Sequence, residues 1–157
     1  MKILLLVVGK TSDRYLSEGI LSYVKRLKHY VGFEIEEIPD IKNRKSISKL
    51  EQKKYESKLI LAKLKVGDRM ILLDENGKQF DSVNFSKYLQ KHMNSGLKRL
   101  VFVIGGPFGF DHSLASECQG KISLSKMTFP HQMIRLFVVE QIYRSMTILK
   151  NEPYHHE

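Results

Sequence analysis

Cysteine is nearly absent from this 157-residue chain, with Cys118 the single example. That excludes an internal disulfide and any cysteine-based metal cluster within one chain, and a buried, inert thiol is expected. Long apolar runs are missing too: none approaches the roughly eighteen residues of a bilayer span. Met1-Lys2 and the run Ile3 to Val8 superficially resemble a secretory leader, but the apolar stretch stops after six residues and no cleavage-like segment follows. A first buried strand fits better, and the expected location is the cytoplasm, with no membrane association. Acidic residues are in deficit, 17 Asp plus Glu against 26 Lys plus Arg, for a net charge of +9. Such a field favours a polyanionic partner, nucleic acid being the simplest, although a basic, merely soluble protein is compatible with the same number.

Several chemical signatures are lacking as well. Gly105-Gly106-Pro107-Phe108-Gly109 does not have the spacing of a dinucleotide fingerprint, and it lacks the Lys-Ser/Thr of a phosphate-binding loop. The six histidines form no metal-ligand pattern, so no metal is expected. Neither a Ser-His-Asp set nor a carboxylate pair emerges from spacing. No repeat, low-complexity segment or linker interrupts the chain. With 42% hydrophobic and 27% charged residues it is an ordinary globular composition, expected to form one domain over residues 1–157.

What is present alternates between two periods. Apolar runs at Ile3 to Val8, Met70 to Leu73 and Leu100 to Ile104 read as buried strands, as does a short one at Ile122 to Leu124. Phe33 to Ile38 alternates apolar and acidic residues and is ended by Pro39, the pattern of a strand with one wetter face. Helical spacing covers Tyr15 to about His29, a segment through Leu59 and Leu64, Phe85 to Met93, a short piece from His112 to Cys118, and His131 to Lys150. The basic first half of Ile41 to Lys54 is expected as an exposed loop, and Asp74-Glu75-Asn76-Gly77-Lys78 as a turn with an Asn-Gly signal. This order predicts an α/β fold, a mainly parallel sheet with helices on both faces.

In such a sheet ligands gather beyond the carboxyl ends of the strands. Three ends stand out: Leu72-Leu73-Asp74, Ile104-Gly105-Gly106 and Leu124-Ser125-Lys126. The two glycines either admit a ligand to the backbone or make a plain tight turn. Leu124 to Phe129, stopped by Pro130, offers backbone donors, acceptors and apolar side chains that would suit an adenine ring, or it is a surface connection. The last helix is apolar on all sides, which predicts burial on more than one side and makes a homodimer interface a natural use of the second face. Glu140 and Arg144 have the spacing of an ordinary helix pair. Arg135 has no local partner and is the better candidate for contacting an anionic substrate. The tail with His155 and His156 is expected to fray by default.

At the level of whole motifs the chain resembles one family. The pieces K-I-L-L-L-V-V-G-K, I-E-E-I-P-D, V-F-V-I-G-G, L-S-K-M-T-F-P-H-Q-M-I-R, E-Q-I-Y-R and P-Y-H occur in family order along essentially the whole length. They resemble the SPOUT-class methyltransferases that act on N3 of a pseudouridine in bacterial 23S ribosomal RNA. The resemblance implies S-adenosylmethionine as methyl donor, a deep trefoil knot near the C-terminus, an obligate homodimer, and the ribosome as partner, with an assembled ribosome rather than free RNA as substrate. It assigns cofactor binding to Leu73, Gly105, Leu124, Ser125, Lys126, Met127, Thr128 and Phe129. It points to His131, Tyr143 and Arg144 for substrate binding, and to His155, Tyr154 and Arg135 near the methyl-transfer centre, with the tail folding over the dimer partner's site. Phe108, Phe110 and His156 depart from the family pattern. Three other readings are ribose 2′-O methylation of transfer RNA, a non-catalytic RNA-binding module, and a nucleotide-dependent oxidoreductase, which the missing fingerprint disfavours.

Overall fold

The computed structural model describes residues 1–41 and 47–156, so the exposed loop expected in the first half of Ile41 to Lys54 falls largely outside the described residues. Ten elements alternate: β1 (Lys2–Val8), α1 (Arg14–Leu27), β2 (Gly32–Ile38), α2 (Lys49–Leu61), β3 (Arg69–Gln79), α3 (Ser82–Asn94), β4 (Arg99–Ile104), α4 (His112–Glu117), β5 (Gly120–Ser123) and α5 (His131–Leu149). The five strands form one sheet in the order β2-β1-β4-β3-β5, with every pairing parallel.

Continuous apolar strands follow from burial on both faces. Ile3, Leu5, Val7, Phe102 and Ile122 point to a cluster completed by Ile20 of α1, Leu89 of α3, and Val139 and Ile142 of α5. The intervening residues Leu4, Leu6, Val8, Met70, Leu72, Val101 and Val103 meet Ile60 of α2 and Leu114 of α4 on the opposite face. Each such side chain withdrawn from water contributes about 1.5–3 kcal/mol. Helices therefore cover both faces, as expected.

Local chemistry sets the helix starts. Ser48 and Glu51 form a reciprocal capping box at α2, and the Asp81 carboxylate accepts from Asn84 N at 2.6 Å at α3. α5 lies between α1 and α3, so these neighbours account for much of its all-round apolar surface within one chain, and only Phe137 remains well exposed on it. Cys118 is partly buried, with its thiol on Ala115 O. No helix among the described residues is long and apolar enough to cross a membrane.

Two expectations change. β5 begins and ends earlier than predicted, leaving Leu124 just past its end. The Asp74–Lys78 turn is an excursion inside a single strand: Leu73 and Lys78 both pair with Ile122, and the four residues between them bulge out before the ladder resumes. Gly77 is required there by close approach, because a Cβ would lie 2.5 Å from Ile122 C and 2.6 Å from Ile122 N.

Candidate active site

The carboxyl ends of β4 and β5, with the excursion of β3 between them, open into a cavity of about 500 Å³. Its walls include Leu73, the turn Gly105 to Phe110, and the segment Leu124, Ser125, Met127, Thr128 and Phe129, with His131 at the start of α5. The three segments singled out in the sequence as strand ends thus converge on one place, with Leu73 lying inside β3 and not at its end. Lys126 does not line the cavity; its side chain is exposed.

The loop after β5 is held by its own serines. Ser125 Oγ accepts from Met127 N at 2.9 Å, and Ser123 Oγ donates to Ser125 O at 2.8 Å. Pro130 then opens α5, where its missing N–H costs no helical bond. Opposite this loop the glycines do more than admit a ligand. A Cβ on Gly105 would stand 3.0 Å from the Phe110 ring, and one on Gly106 would stand 2.7 Å from both Glu56 carboxylate oxygens. The unusual Phe110 therefore packs on Gly105, while Phe108 lies at the cavity rim with Lys49 Nζ 5.3 Å from its ring centroid. Asp74 and Glu75 add acidic groups to the lining, and Thr128 Oγ1 lies 3.5 Å from Glu75 Oε2. Among the described residues, no group of three or more His, Cys, Asp or Glu could hold a metal ion.

A second cavity of about 790 Å³ lies on the other side of the same loop, sharing Ile122, Ser123, Leu124, Ser125 and Phe129 with the first. Phe80, Asp81, Phe85, Phe137, Gln141 and His155 complete it. The tail is not frayed. Glu152 N donates to Thr147 O at 3.0 Å, Asn151 takes a left-handed φ of 55°, and Tyr154 and His155 are half-buried against α5 of their own chain. His155 thereby lines the second cavity together with Leu124, Ser125 and Phe129.

Behind His155 sits a polar and aromatic cluster. Arg144 donates to Glu140 Oε1 through Nε at 3.0 Å and NH2 at 2.6 Å, so the helix pair forms as expected. The same carboxylate oxygen accepts from Tyr154 OH at 3.0 Å, and the Arg144 guanidinium lies 4.7 Å from the Tyr154 ring centroid. Tyr143 packs edge-on to Tyr154 with centroids 4.9 Å apart. Burial, the Tyr23 hydroxyl and the Glu140 carboxylate hold the Tyr154 phenol well above its usual pKa, in keeping with its donation to Glu140. Glu140 raises the Arg144 pKa in turn. Arg144 NH1 stands 3.4 Å from His155 Nδ1.

Arg135 corrects an expectation. It is 1% exposed, and its guanidinium donates to Val8 O at 2.6 Å, Gly9 O at 2.9 Å and Thr11 Oγ1 at 2.9 Å. Having no partner on its own helix, it reaches into the fold and ties α5 to the end of β1. It does not present its charge to a substrate. Desolvation lowers its pKa, with Glu37 and Asp40 acting in the opposite sense.

The family model described as "Predicted SPOUT methyltransferase" matches residues 1–155. The chain belongs to the SPOUT methyltransferase family. Among its relatives, a Flavobacterium johnsoniae protein named "Ribosomal RNA large subunit methyltransferase H" is 58% identical over 157 residues, covering 100% of both chains. Proteins of the same name from Parabacteroides distasonis and Porphyromonas gingivalis are 59% and 52% identical, again over 100% of both chains. Of solved structures, a probable methylase family protein from Haemophilus influenzae is similar in fold, with a TM-score of 0.53 at 11% identity, covering 99% of this chain and 70% of that one. For a SPOUT methyltransferase, sequence reasoning missed Glu56 and Gln52 beneath the first cavity and Phe80 and Phe85 in the second. Gln52 and Glu56 have helical i, i+4 spacing, but they are embedded in a polar, lysine-rich helix and resemble a solvated face.

Proposed function

We propose that this SPOUT methyltransferase moves a methyl group from S-adenosylmethionine to N3 of a pseudouridine in 23S ribosomal RNA, on the assembled ribosome, as a cytoplasmic homodimer. The observation that carries the reading is the convergence of Leu73, Gly105, Leu124, Ser125 and Met127 to Phe129 on one cavity with His155 behind the same loop. Relatives more than half identical over their whole length, named as ribosomal RNA large subunit methyltransferases, support the substrate class. The family's trefoil knot and its dimer belong to the same proposal; Phe137, 39% exposed beside Phe129, is available to a second protomer.

When bound, the donor supplies an electrophilic methyl on a sulfonium, and transfer needs an in-line nitrogen nucleophile. Leu73, Ile104 and Ile122 offer an apolar floor, and the backbone of Leu124 to Phe129 offers polar groups around an adenine. His155 acts from the second cavity. Arginine has donors only, so a hydrogen bond from Arg144 requires Nδ1 of His155 to accept, leaving the proton on Nε2. Nε2–H then donates to a pyrimidine carbonyl, where negative charge develops as the N3 proton is released to solvent water. Tyr154, protonated and bound to Glu140, fixes Arg144 and through it the imidazole.

The test is transfer from labelled S-adenosylmethionine to ribosomes from a strain lacking the modification, compared with isolated large subunits and free RNA. Label on one pseudouridine, strongest with assembled ribosomes, is expected. Donor binding without ribosomal label would move the search to transfer RNA, and absence of donor binding would leave an RNA-binding module.

A further inference from the structure

Glu56 takes no part in the chemistry above, yet its side chain is 4% exposed. Its neighbour Gln52, 2% exposed, donates from Nε2 to Glu56 Oε1 at 2.7 Å. Both carboxylate oxygens lie 2.7 Å from the point a Cβ on Gly106 would occupy. The carboxylate is therefore pressed onto the turn that walls the first cavity, and at Gly106 no side chain intervenes. Burying a carboxylate is costly unless its charge is matched. Gln52 hydrogen-bonds the charge but cannot neutralise it. Lys53 lines the same cavity from the same helix and opposes the field.

We infer that Glu56 is a positioning residue of the donor site that fixes the Gly106 turn and favours a sulfonium donor over its neutral thioether product. The inference rests on the reading that this cavity takes S-adenosylmethionine. In the transfer the C–S bond breaks, the methyl forms a new C–N bond, and the sulfur keeps the electron pair and loses its positive charge. A negative charge behind Gly106 lowers the energy of the bound donor and leaves that of the product unaffected. Spent product is then released in preference to fresh donor.

Isothermal titration of the full chain with S-adenosylmethionine and S-adenosylhomocysteine separates this from a packing role. Glu56→Gln keeps the shape and the Gln52 bond. It is expected to weaken donor binding about ten-fold and product binding less than about three-fold, because only the donor interacts charge to charge. Equal weakening of both, or no change in either, overturns the proposal. If the wild-type chain binds neither molecule, the donor reading fails first and the inference with it. Should Glu56→Gln not fold, Lys53→Gln reads the same field with opposite sign. Preference for the donor then rises about three-fold, and an unchanged preference overturns the proposal.

Discussion

Replacing Gly77 tests whether the excursion in β3 is a turn or a close approach. As a turn, the Asn-Gly pair would need glycine for a left-handed backbone, and asparagine would be the best substitute. The structure gives another reason. Gly77 does not have a positive φ. The space beside it is filled by backbone, with Ile122 C at 2.5 Å, Ile122 N at 2.6 Å and Lys121 C at 2.7 Å from an added Cβ. Backbone in a paired strand cannot step aside as a flexible side chain can. Relief requires β5 to separate from β3 at the point where the chain enters the Leu124 to Phe129 loop.

Overpacking of a well-filled core costs about 1–3 kcal/mol, and three backbone contacts this short place Gly77→Ala at the upper end. For a domain of this size about 3 kcal/mol corresponds to a fall in Tm of about 6–12 °C. Gly67 is the control: its φ is +87° and nothing lies within 4 Å of an added Cβ, so Gly67→Ala carries backbone strain alone, about 1–2 kcal/mol. Calorimetry on the three proteins, with Gly77→Asn as a fourth, checks the argument. The expected order of Tm is wild type, Gly67→Ala, Gly77→Ala, with Gly77→Asn no better than Ala and donor binding weakened in both Gly77 variants. A Gly77→Asn protein more stable than Gly77→Ala would restore the turn and refute the close approach.

That pair of readings shows how much of this molecule is written locally. Strand and helix identity followed from periodicity because burial on both faces of a parallel sheet removes polar alternation, as in Ile3 to Val8. The ends of β4 and β5 were legible because glycine and proline interrupt apolar runs there, whereas the end expected at Leu73 is the start of an excursion within β3. Residues whose role depends on a distant partner were not legible. Gly77 and Gly106 signal a backbone peculiarity, but the colliding atoms belong to Ile122 and Glu56, 45 and 50 positions away. Arg135 resembled an unpartnered cation because its acceptors lie at Val8, Gly9 and Thr11, at the other end of the chain. The tail resembled a fraying terminus because its order comes from Tyr23, Tyr30 and Glu140, with Tyr30 OH donating to Glu152. The chemistry of methyl transfer was legible only through whole-motif resemblance, since no spacing rule describes a backbone-lined cavity.

The remaining predictions probe these long-range partners. Arg135→Met keeps the apolar stem and strips its donors from two backbone carbonyls, so it should cost about 3 kcal/mol and lower Tm accordingly; lost turnover with unchanged Tm would return Arg135 to the substrate. His155→Ala should reduce turnover about 100-fold with donor affinity nearly unchanged, and equal loss of both would make the tail a structural element. His92 supplies the pH test. Its Nε2 is buried without a hydrogen-bond partner, its ring stands edge-on to Tyr88 at 4.5 Å, and burial, with Arg69 and Lys91 adding, depresses its pKa. The unfolded chain takes a proton at this site as pH falls below about 6.5, whereas the folded chain resists until its lower pKa is reached. Folding stability contributed here is therefore intact above that pH, declines through the window between the two pKa values, and levels off below it. His92→Phe fills the same space without titrating, so denaturant melts at pH 7.5 and 5.5 should show a smaller loss on acidification than wild type. An identical loss in the two proteins would mean that the burial of His92 imposes no protonation cost, and that the acid sensitivity of the fold lies in its carboxylates.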